Sequence, residues 1–234
     1  MPVYENKFIY NILDAEAKTA TLGDGSNENG NGFVEKTLIS GIVDIPSTMD
    51  GYTLISLSFY SIRYCNLISE LNLPHTLIRL DHASLTVCDS LTKIVFPNSI
   101  QTFGDYIDFF RNAINITFER GSKLTSVGSY FLRYCHKLEY LILPSSLLSI
   151  SSLNCFENNY KLNRIVYLGE GNFENLAPFI GCSPNIIIEV SVRYPSLYFA
   201  GIKVKTSNDF KCKSCHLNTG HFYHIMLSIL INIY

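Results

Sequence analysis

The stretch Cys88-Asp89-Ser90-Leu91-Thr92-Lys93-Ile94-Val95-Phe96-Pro97 is the clearest copy of a pattern that recurs along this chain of 234 residues. Each copy ends in a triplet, two apolar residues around a variable one, followed by a marker residue that is most often proline. The markers are Pro46, Pro74, Pro97, Glu119, Pro144, Leu168 and Ser191. A unit of about 24 residues cannot bury its own apolar face and must stack on its neighbours. The spacing therefore predicts a repeat solenoid.

The triplets predict the strands of this solenoid. Side chains alternate between the two faces of a strand, so the two apolar residues of a triplet share the buried face. Proline ends the strand because it has no N–H to donate. Since every turn winds the same way, we expect one parallel sheet of about seven short strands. A second apolar pair between strands, such as Leu77 and Leu80, predicts tight turns or short helical or 3-10 segments on the outer side.

Four cysteines occupy the same place in the repeat, nine residues before a marker: Cys65, Cys88, Cys135 and Cys182. Free cysteine is among the most buried residue types, so these side chains are interpreted as small inward-pointing structural residues. Cys65 and Cys88 lie in adjacent turns, and a disulfide between them is the alternative. The odd total of seven cysteines, and Asn159 at one equivalent position, favour thiols.

The repeat resembles that of the BspA-like leucine-rich repeat family, a group of largely cell-surface antigens and adhesins. The resemblance covers roughly residues 8 to 205 and includes the phrases Ile45-Pro46-Ser47-Thr48-Met49-Asp50-Gly51-Tyr52 and Leu124-Thr125-Ser126-Val127-Gly128. The Ala-Phe that usually precedes the cysteine is changed here, for example to Ser84-Leu85. The resemblance implies a right-handed α/β solenoid of leucine-rich-repeat type and a non-enzymatic scaffold for protein binding and adhesion.

The chain divides into three predicted parts. Residues 1–40 do not repeat, and short strand-like runs followed by a Gly/Asn-rich loop at 23–32 predict a hairpin-like cap. Residues 41–205 hold about seven repeats. Residues 206–234 are interpreted as a C-terminal tail.

Composition excludes several functional classes. A net charge of −2 without a basic stripe argues against nucleic-acid binding. The apolar stretch at 225–234 is too short for a transmembrane helix, which needs about 20 residues. No secretory signal is readable after Met1, although the resemblance implies a cell-surface location.

The sequence contains no strong motif for metal binding or catalysis. Cys212, Cys215, His221 and His224 near the C-terminus have the ligand types of a zinc site, but the loop between Cys215 and His221 is short and no second pair supports the site. Unliganded tail residues are the favoured interpretation, so we expect no metal or cofactor. Because no catalytic constellation recurs in register, we do not expect an enzyme.

The outward row of the predicted sheet is the candidate binding site. It carries apolar residues where a solvated face would be polar, and an exposed apolar patch rimmed by charge often marks an interaction site. The candidate residues are Val95, Tyr140, Ile142, Arg164, Val166 and Ile187. The competing explanation is simple sheet stabilisation by β-branched residues. The expected partner is a protein, with a host or matrix protein as the candidate. The alternative function is an intracellular structural or assembly module with stacked repeats.

Overall fold

The structure, a computed structural model, describes residues 3–5, 7–26, 30–151, 154–174 and 179–206. It is a β-solenoid with mostly parallel strand pairing, and its described part contains one helix, a 3-10 turn at Lys36–Leu38. The predicted solenoid is thereby confirmed. The four C-terminal zinc candidates, Cys212, Cys215, His221 and His224, lie outside the described residues.

The seven triplet strands and one further strand, β21, form a stack of parallel strands, which we call the front ladder. Its strands are β4 (Gly41–Asp44), β8 (Ile68–Asn72), β11 (Lys93–Phe96), β13 (Asn115–Phe118), β15 (Tyr140–Leu143), β17 (Arg164–Tyr167), β18 (Ile187–Val190) and β21 (Lys205–Thr206). The ladder consists of two four-stranded sheets, β4–β8–β11–β13 and β15–β17–β18–β21, where the sequence predicts one. β13 and β15 lie side by side without a strand pairing. The break follows the repeat in which Phe110 stands in the place of the cysteine.

A second stack, the back ladder, lies on the outer side. It contains β6 (Tyr52–Leu57), β9 (Arg79–Leu80), β12 (Thr102–Phe103), β14 (Ser126–Val127) and β16 (Ser149–Ile150). These strands stand where the sequence predicts helical or 3-10 turns. The three-residue spacing arises because Leu77 closes a turn, its N–H donating to Pro74 O at 3.2 Å, while Leu80 lies in the strand that follows.

A third stack, the side ladder, forms the corner between the back ladder and the next front strand. It holds β7 (Ile62–Arg63) and β10 (Leu85–Thr86), and a parallel bridge joins Thr86 to Asp108 in the next turn. Near the C-terminal end of the solenoid, β19 (Tyr198–Phe199) and β20 (Ile202–Lys203) pair antiparallel.

The N-terminal strands extend the back ladder. β1 (Val3–Glu5) and β2 (Phe8–Asp14) pair antiparallel, and so do β2 and β3 (Thr19–Leu22), before β3 joins β6 in parallel. β5 (Thr48–Met49) pairs antiparallel with β6. The antiparallel hairpin adds hydrogen-bonded backbone to the first turn of the solenoid.

One hydrophobic core runs through all turns. Equivalent residues stack in register: Leu71 pairs with Ile94, Ile94 with Ile116, and Leu141 with Ile165. These side chains belong to a single buried cluster. The alternation of each triplet is visible in β15, where Leu141 and Leu143 are buried and Ile142 between them is 43% exposed. The predicted inward face is therefore confirmed in this strand.

The two faces of β15 should respond differently to substitution. Leu141→Ala removes a fully buried side chain and is expected to lower the free energy of unfolding by about 2–5 kcal/mol, through lost burial and the remaining cavity. Ile142→Ser changes an exposed position and should cost less than about 1 kcal/mol. Urea denaturation of both variants measures the difference. Equal losses would contradict the assignment of the faces.

Candidate functional site

The structure brings four of the six predicted front-ladder residues together. Tyr140, Arg164 and Ile187 are aligned across β15, β17 and β18, and all three are half-buried. Ile142 lies beside them and is exposed. We call Tyr140, Ile142, Arg164 and Ile187 the front patch. Val95, half-buried in β11, is separated from β15 by β13 and lies outside the patch.

The prediction that Val166 faces solvent is wrong, since its side chain is only 2% exposed. It lies in register between Ile142 and Glu189, and the side chain of Arg164 reaches past it to Glu189. Strand alternation places Val166 on the outward side, but its neighbours leave it almost no surface. Val166 is therefore unavailable as a contact residue.

Arg164 links the polar and aromatic parts of the front patch. Its Nη2 donates to Glu189 Oε2 at 2.8 Å, and this hydrogen bond raises the pKa of Arg164. The guanidinium carbon lies 5.5 Å from the centroid of the Tyr140 ring, within the range of a cation–π contact. Burial raises the pKa of the Tyr140 phenol. Both groups keep their usual charge at neutral pH, so the patch presents a neutral ring beside an ion pair.

The repeat cysteines form a structural column inside the solenoid. Cys65, Cys88 and Cys135 are buried and Cys182 is half-buried, and all four are free thiols. The thiol of Cys88 donates to Ile62 O at 3.3 Å, and that of Cys182 donates to Phe156 O at 2.9 Å. Each acceptor lies three residues before the equivalent position in the preceding turn.

Asn159 takes over the role of a cysteine in the same column. Its Nδ2 donates to Leu132 O at 2.8 Å, the carbonyl equivalent to the acceptor of Cys88. Its Oδ1 accepts the N–H of Cys135 at 2.6 Å. The position suits a small side chain that can hydrogen-bond buried backbone, which explains how asparagine can replace cysteine there, although Phe110 at the equivalent position of an earlier turn has no side-chain donor.

A groove at the corner of the side ladder was not predicted from the sequence. Two columns of residues with left-handed backbone flank it: Tyr60, Ala83, Tyr106, Tyr130 and Asn154 form one, and Tyr64, Val87, Phe109, Tyr134 and Asn158 form the other, with φ between 48° and 62°. Between them runs a polar column of Arg63, Thr86, Asp108, Arg133 and Glu157. The groove encloses 490 Å³ and is centred on the second of these turns, where the small residues Ala83, Thr86 and Val87 occur.

Stacked aromatic rings form one wall of this groove. Tyr106 and Tyr130 stack with centroids 4.4 Å apart, and Phe109 and Tyr134 stack at 4.6 Å. The guanidinium of Arg133 lies between these rings, 4.4 to 5.5 Å from all four centroids. Cation–π contacts of this kind hold the side chain in one orientation. The wall is consequently rigid.

Asp108 lies at the floor of the groove and is fully buried. It accepts hydrogen bonds from the hydroxyl of Thr86 and from Arg133, whose Nη2 is 3.0 Å from Oδ2. Burial raises the pKa of Asp108 to about 6, while Thr86 and Arg133 act in the opposite direction. Because both carboxylate oxygens have donors, Asp108 is not placed to act as a general base.

A sequence signal for the groove exists. Tyr60-Ser61-Ile62-Arg63-Tyr64-Cys65 and Tyr130-Phe131-Leu132-Arg133-Tyr134-Cys135 share the pattern Tyr-x-apolar-Arg-Tyr-Cys. In each copy the arginine stacks on both tyrosines of its own turn. Comparing the residues before each cysteine would have revealed the pattern.

Other kinds of site are not found in the described part of the chain. It contains no group of three or more His, Cys, Asp or Glu residues that could hold a metal ion. None of its helices is long and apolar enough to cross a membrane.

Comparisons with known proteins agree with this architecture. The model of the BspA type leucine-rich repeat region matches residues 44–183 in six copies. Among solved structures, a leucine-rich repeat protein of T. pallidum, TpLRR, is similar with a TM-score of 0.58 and 17% identity, over 84% of this chain and 92% of the other. The pneumococcal vaccine antigen PcpA has a TM-score of 0.41 and 13% identity, over 88% and 70%. At these identities the likeness to TpLRR concerns the fold alone. No curated protein matches the chain significantly.

The four repeat cysteines and Cys155, which is also a buried free thiol, should be chemically inert in the folded protein. Burial raises the pKa of Cys65, Cys155 and Cys182 to about 11, and raises the pKa of Cys88 and Cys135 as well. Since the thiolate is the reactive form, iodoacetamide at pH 8 should leave these five cysteines unmodified in native protein and label them in denaturant. Peptide mass mapping measures each site. Rapid native labelling of Cys88 or Cys135 would contradict their burial.

Asp108 should make stability depend on pH. Folding raises its pKa from an ordinary 3.8 to about 6, so its contribution to stability is present below the unfolded value and is lost as the pH rises through 6. Asp108→Asn should remove this component, on the order of 1–3 kcal/mol between about pH 4 and 7. Urea denaturation at several pH values measures it, with the exposed Asp44→Asn as control. Identical pH profiles for Asp108→Asn and the unmodified protein would refute the prediction.

Proposed function

Because the chain belongs to the BspA type leucine-rich repeat family, whose model matches residues 44–183, we propose that it is a non-enzymatic protein-binding scaffold that acts in adhesion at a cell surface. The observation that carries the proposal is the front patch, a ring and two isoleucines on adjacent parallel strands beside the Arg164–Glu189 ion pair. Aromatic and apolar centres with a charged rim are characteristic of protein interfaces. The expected partner is a host or matrix protein.

The fold supports a rigid display of this patch. Leu141, Ile165 and Ile188 lie directly beneath it and are fully buried in the common core. A surface whose backbone is held on its inner side loses little conformational freedom on binding. The patch is therefore suited to contact a folded partner without rearrangement.

The alternative function, an intracellular module that assembles through stacked repeats, requires an open solenoid end. At the N-terminal end, the antiparallel hairpin of β2 and β3 continues the back ladder instead of offering a further repeat. This arrangement favours the adhesion proposal over end-to-end stacking at that end.

Two measurements test the proposal. Surface biotinylation of intact cells that express the protein should label it, whereas an intracellular module would be labelled only after lysis. In parallel, the purified full chain should bind at least one member of a panel of purified extracellular matrix proteins by biolayer interferometry. Absence of labelling and of matrix binding together would refute adhesion.

Tyr140 should contribute most to binding through the front patch. Tyr140→Ala removes the aromatic ring of the front patch. It is expected to weaken binding to the matrix protein found in the panel by about fivefold or more, which is typical of an aromatic hot spot. Because the ring lies on the outer side of β15, this substitution should change the free energy of unfolding far less than Leu141→Ala does.

Matched variants locate the site. Tyr160→Ala removes an exposed tyrosine outside the front ladder and should leave binding unchanged. Replacement of residues 25–29 by two glycines tests the Gly/Asn-rich loop, since loops often carry recognition. Full binding by Tyr140→Ala, combined with loss in the loop variant, would place the site at the loop.

A further inference from the structure

The groove over the second turn interrupts two regular columns of side chains. In one column Tyr64 is followed by Val87 and then by Phe109 and Tyr134; in the other, Ala83 stands between Tyr60 and Tyr106. Successive strands of a sheet are about 4.8 Å apart, so the residues on either side of each small residue are separated by about 9.6 Å. Each column therefore has a gap one ring wide.

The protein fills one of these gaps itself. The imidazole of His82 lies between Tyr60 and Tyr106, with centroids 5.7 Å and 5.0 Å away. The gap over Val87 belongs to the groove, whose lining includes Tyr64, Val87 and Phe109. Arg111 also borders it, with its guanidinium carbon 5.3 Å from the centroid of the Phe109 ring. A ring placed midway between Tyr64 and Phe109 would lie about 4.8 Å from each, close to the 4.6 Å between Phe109 and Tyr134.

Charge distinguishes the groove from an apolar slot. Arg111 Nη1 is 2.8 Å from Asp89 Oδ2, and Arg133 is bound to Asp108, so two of the three arginines in the lining are neutralised. The third, Arg63, has no carboxylate within salt-bridge distance among the described residues. It donates to the hydroxyl of Tyr64 at 2.7 Å and lies 4.8 Å from the Tyr60 ring and 4.4 Å from the Tyr64 ring.

This environment prepares Arg63 for one kind of ligand. The two tyrosines orient a planar guanidinium, and only one of its five N–H groups has an acceptor among the described residues, the hydroxyl of Tyr64. An oriented guanidinium matches a carboxylate, with which it forms paired hydrogen bonds. Glu157 lies 4.0 Å from Arg133 as well, and Asp108 also acts electrostatically on Arg63, so the three arginines carry little net positive charge. A singly charged carboxylate therefore fits better than a phosphate monoester, which carries about −1.5 to −2 charges at neutral pH.

We propose that this groove recognises an acidic residue two positions from an aromatic one, on the same face of an extended segment of a protein partner. The carboxylate binds Arg63, and the aromatic ring fills the gap over Val87 between Tyr64 and Phe109. The proposal deepens the proposed function by adding a second contact surface of stated chemistry. Its test uses short peptides and does not involve Tyr140, so either proposal can fail without the other.

The probe is a fluorescein-labelled hexapeptide, Gly-Ser-Tyr-Ser-Glu-Gly, compared with the same peptide in which Gln replaces Glu. Fluorescence anisotropy with the full chain should show the Glu peptide binding about tenfold more tightly or better, and the difference should shrink as salt is added. Acetate should compete more effectively than inorganic phosphate. Equal binding of the two peptides, no binding of either, or stronger competition by phosphate would overturn the proposal.

Variants tie the effect to the groove. Arg63→Ala should abolish the preference for Glu, while Arg120→Ala, which removes an exposed arginine elsewhere, should preserve it. Val87→Tyr inserts the residue that Tyr64 and Tyr134 carry at the same positive φ, so the backbone already accommodates it. This variant should fill the gap and lower binding of both peptides at least tenfold, with an unchanged melting temperature. Retained preference in Arg63→Ala, or retained binding in a folded Val87→Tyr, would refute the assignment.

Discussion

The burial of inward side chains between successive turns is the constraint on which the structure depends. A single turn cannot bury its own apolar side chains. Ile94, for example, is buried because Leu71 of the preceding turn lies on one side of it and Ile116 of the next turn lies on the other. Parallel register follows, because a shift by one residue would turn the buried set outward. Stability is then shared between neighbours along one axis.

The same stacking buries backbone carbonyl groups, and side chains of the cysteine column donate hydrogen bonds to some of them. A leucine in this position would leave the carbonyls of Ile62 and Phe156 without their side-chain donors. Asn159 forms two such bonds: it donates to the carbonyl of Leu132 and accepts the backbone N–H of Cys135, which occupies the equivalent position one turn earlier. Cysteine is used here as a hydrogen-bonding core residue, and its burial disfavours the reactive thiolate form.

Period and alternation predicted most of the fold because both are local properties of the chain. They placed Leu141 inward and Ile142 outward, but they failed for Val166, whose burial depends on side chains from β15 and β18. The groove was missed for a related reason. Positive φ at Tyr64 and Phe109 is set by the corner of the solenoid, and a missing ring at Val87 has meaning only when the turns before and after it are superposed.

The unpaired boundary between β13 and β15 gives the molecule an uneven bending stiffness. On the front side no strand pairing joins these two neighbours, whereas on the back side β12, β14 and β16 continue across the same boundary in unbroken register. A bending force that spreads the front side meets the least resistance there, with the back ladder acting as the hinge. We therefore expect the described part of the solenoid to bend most readily at this boundary, immediately before the strand that carries Tyr140.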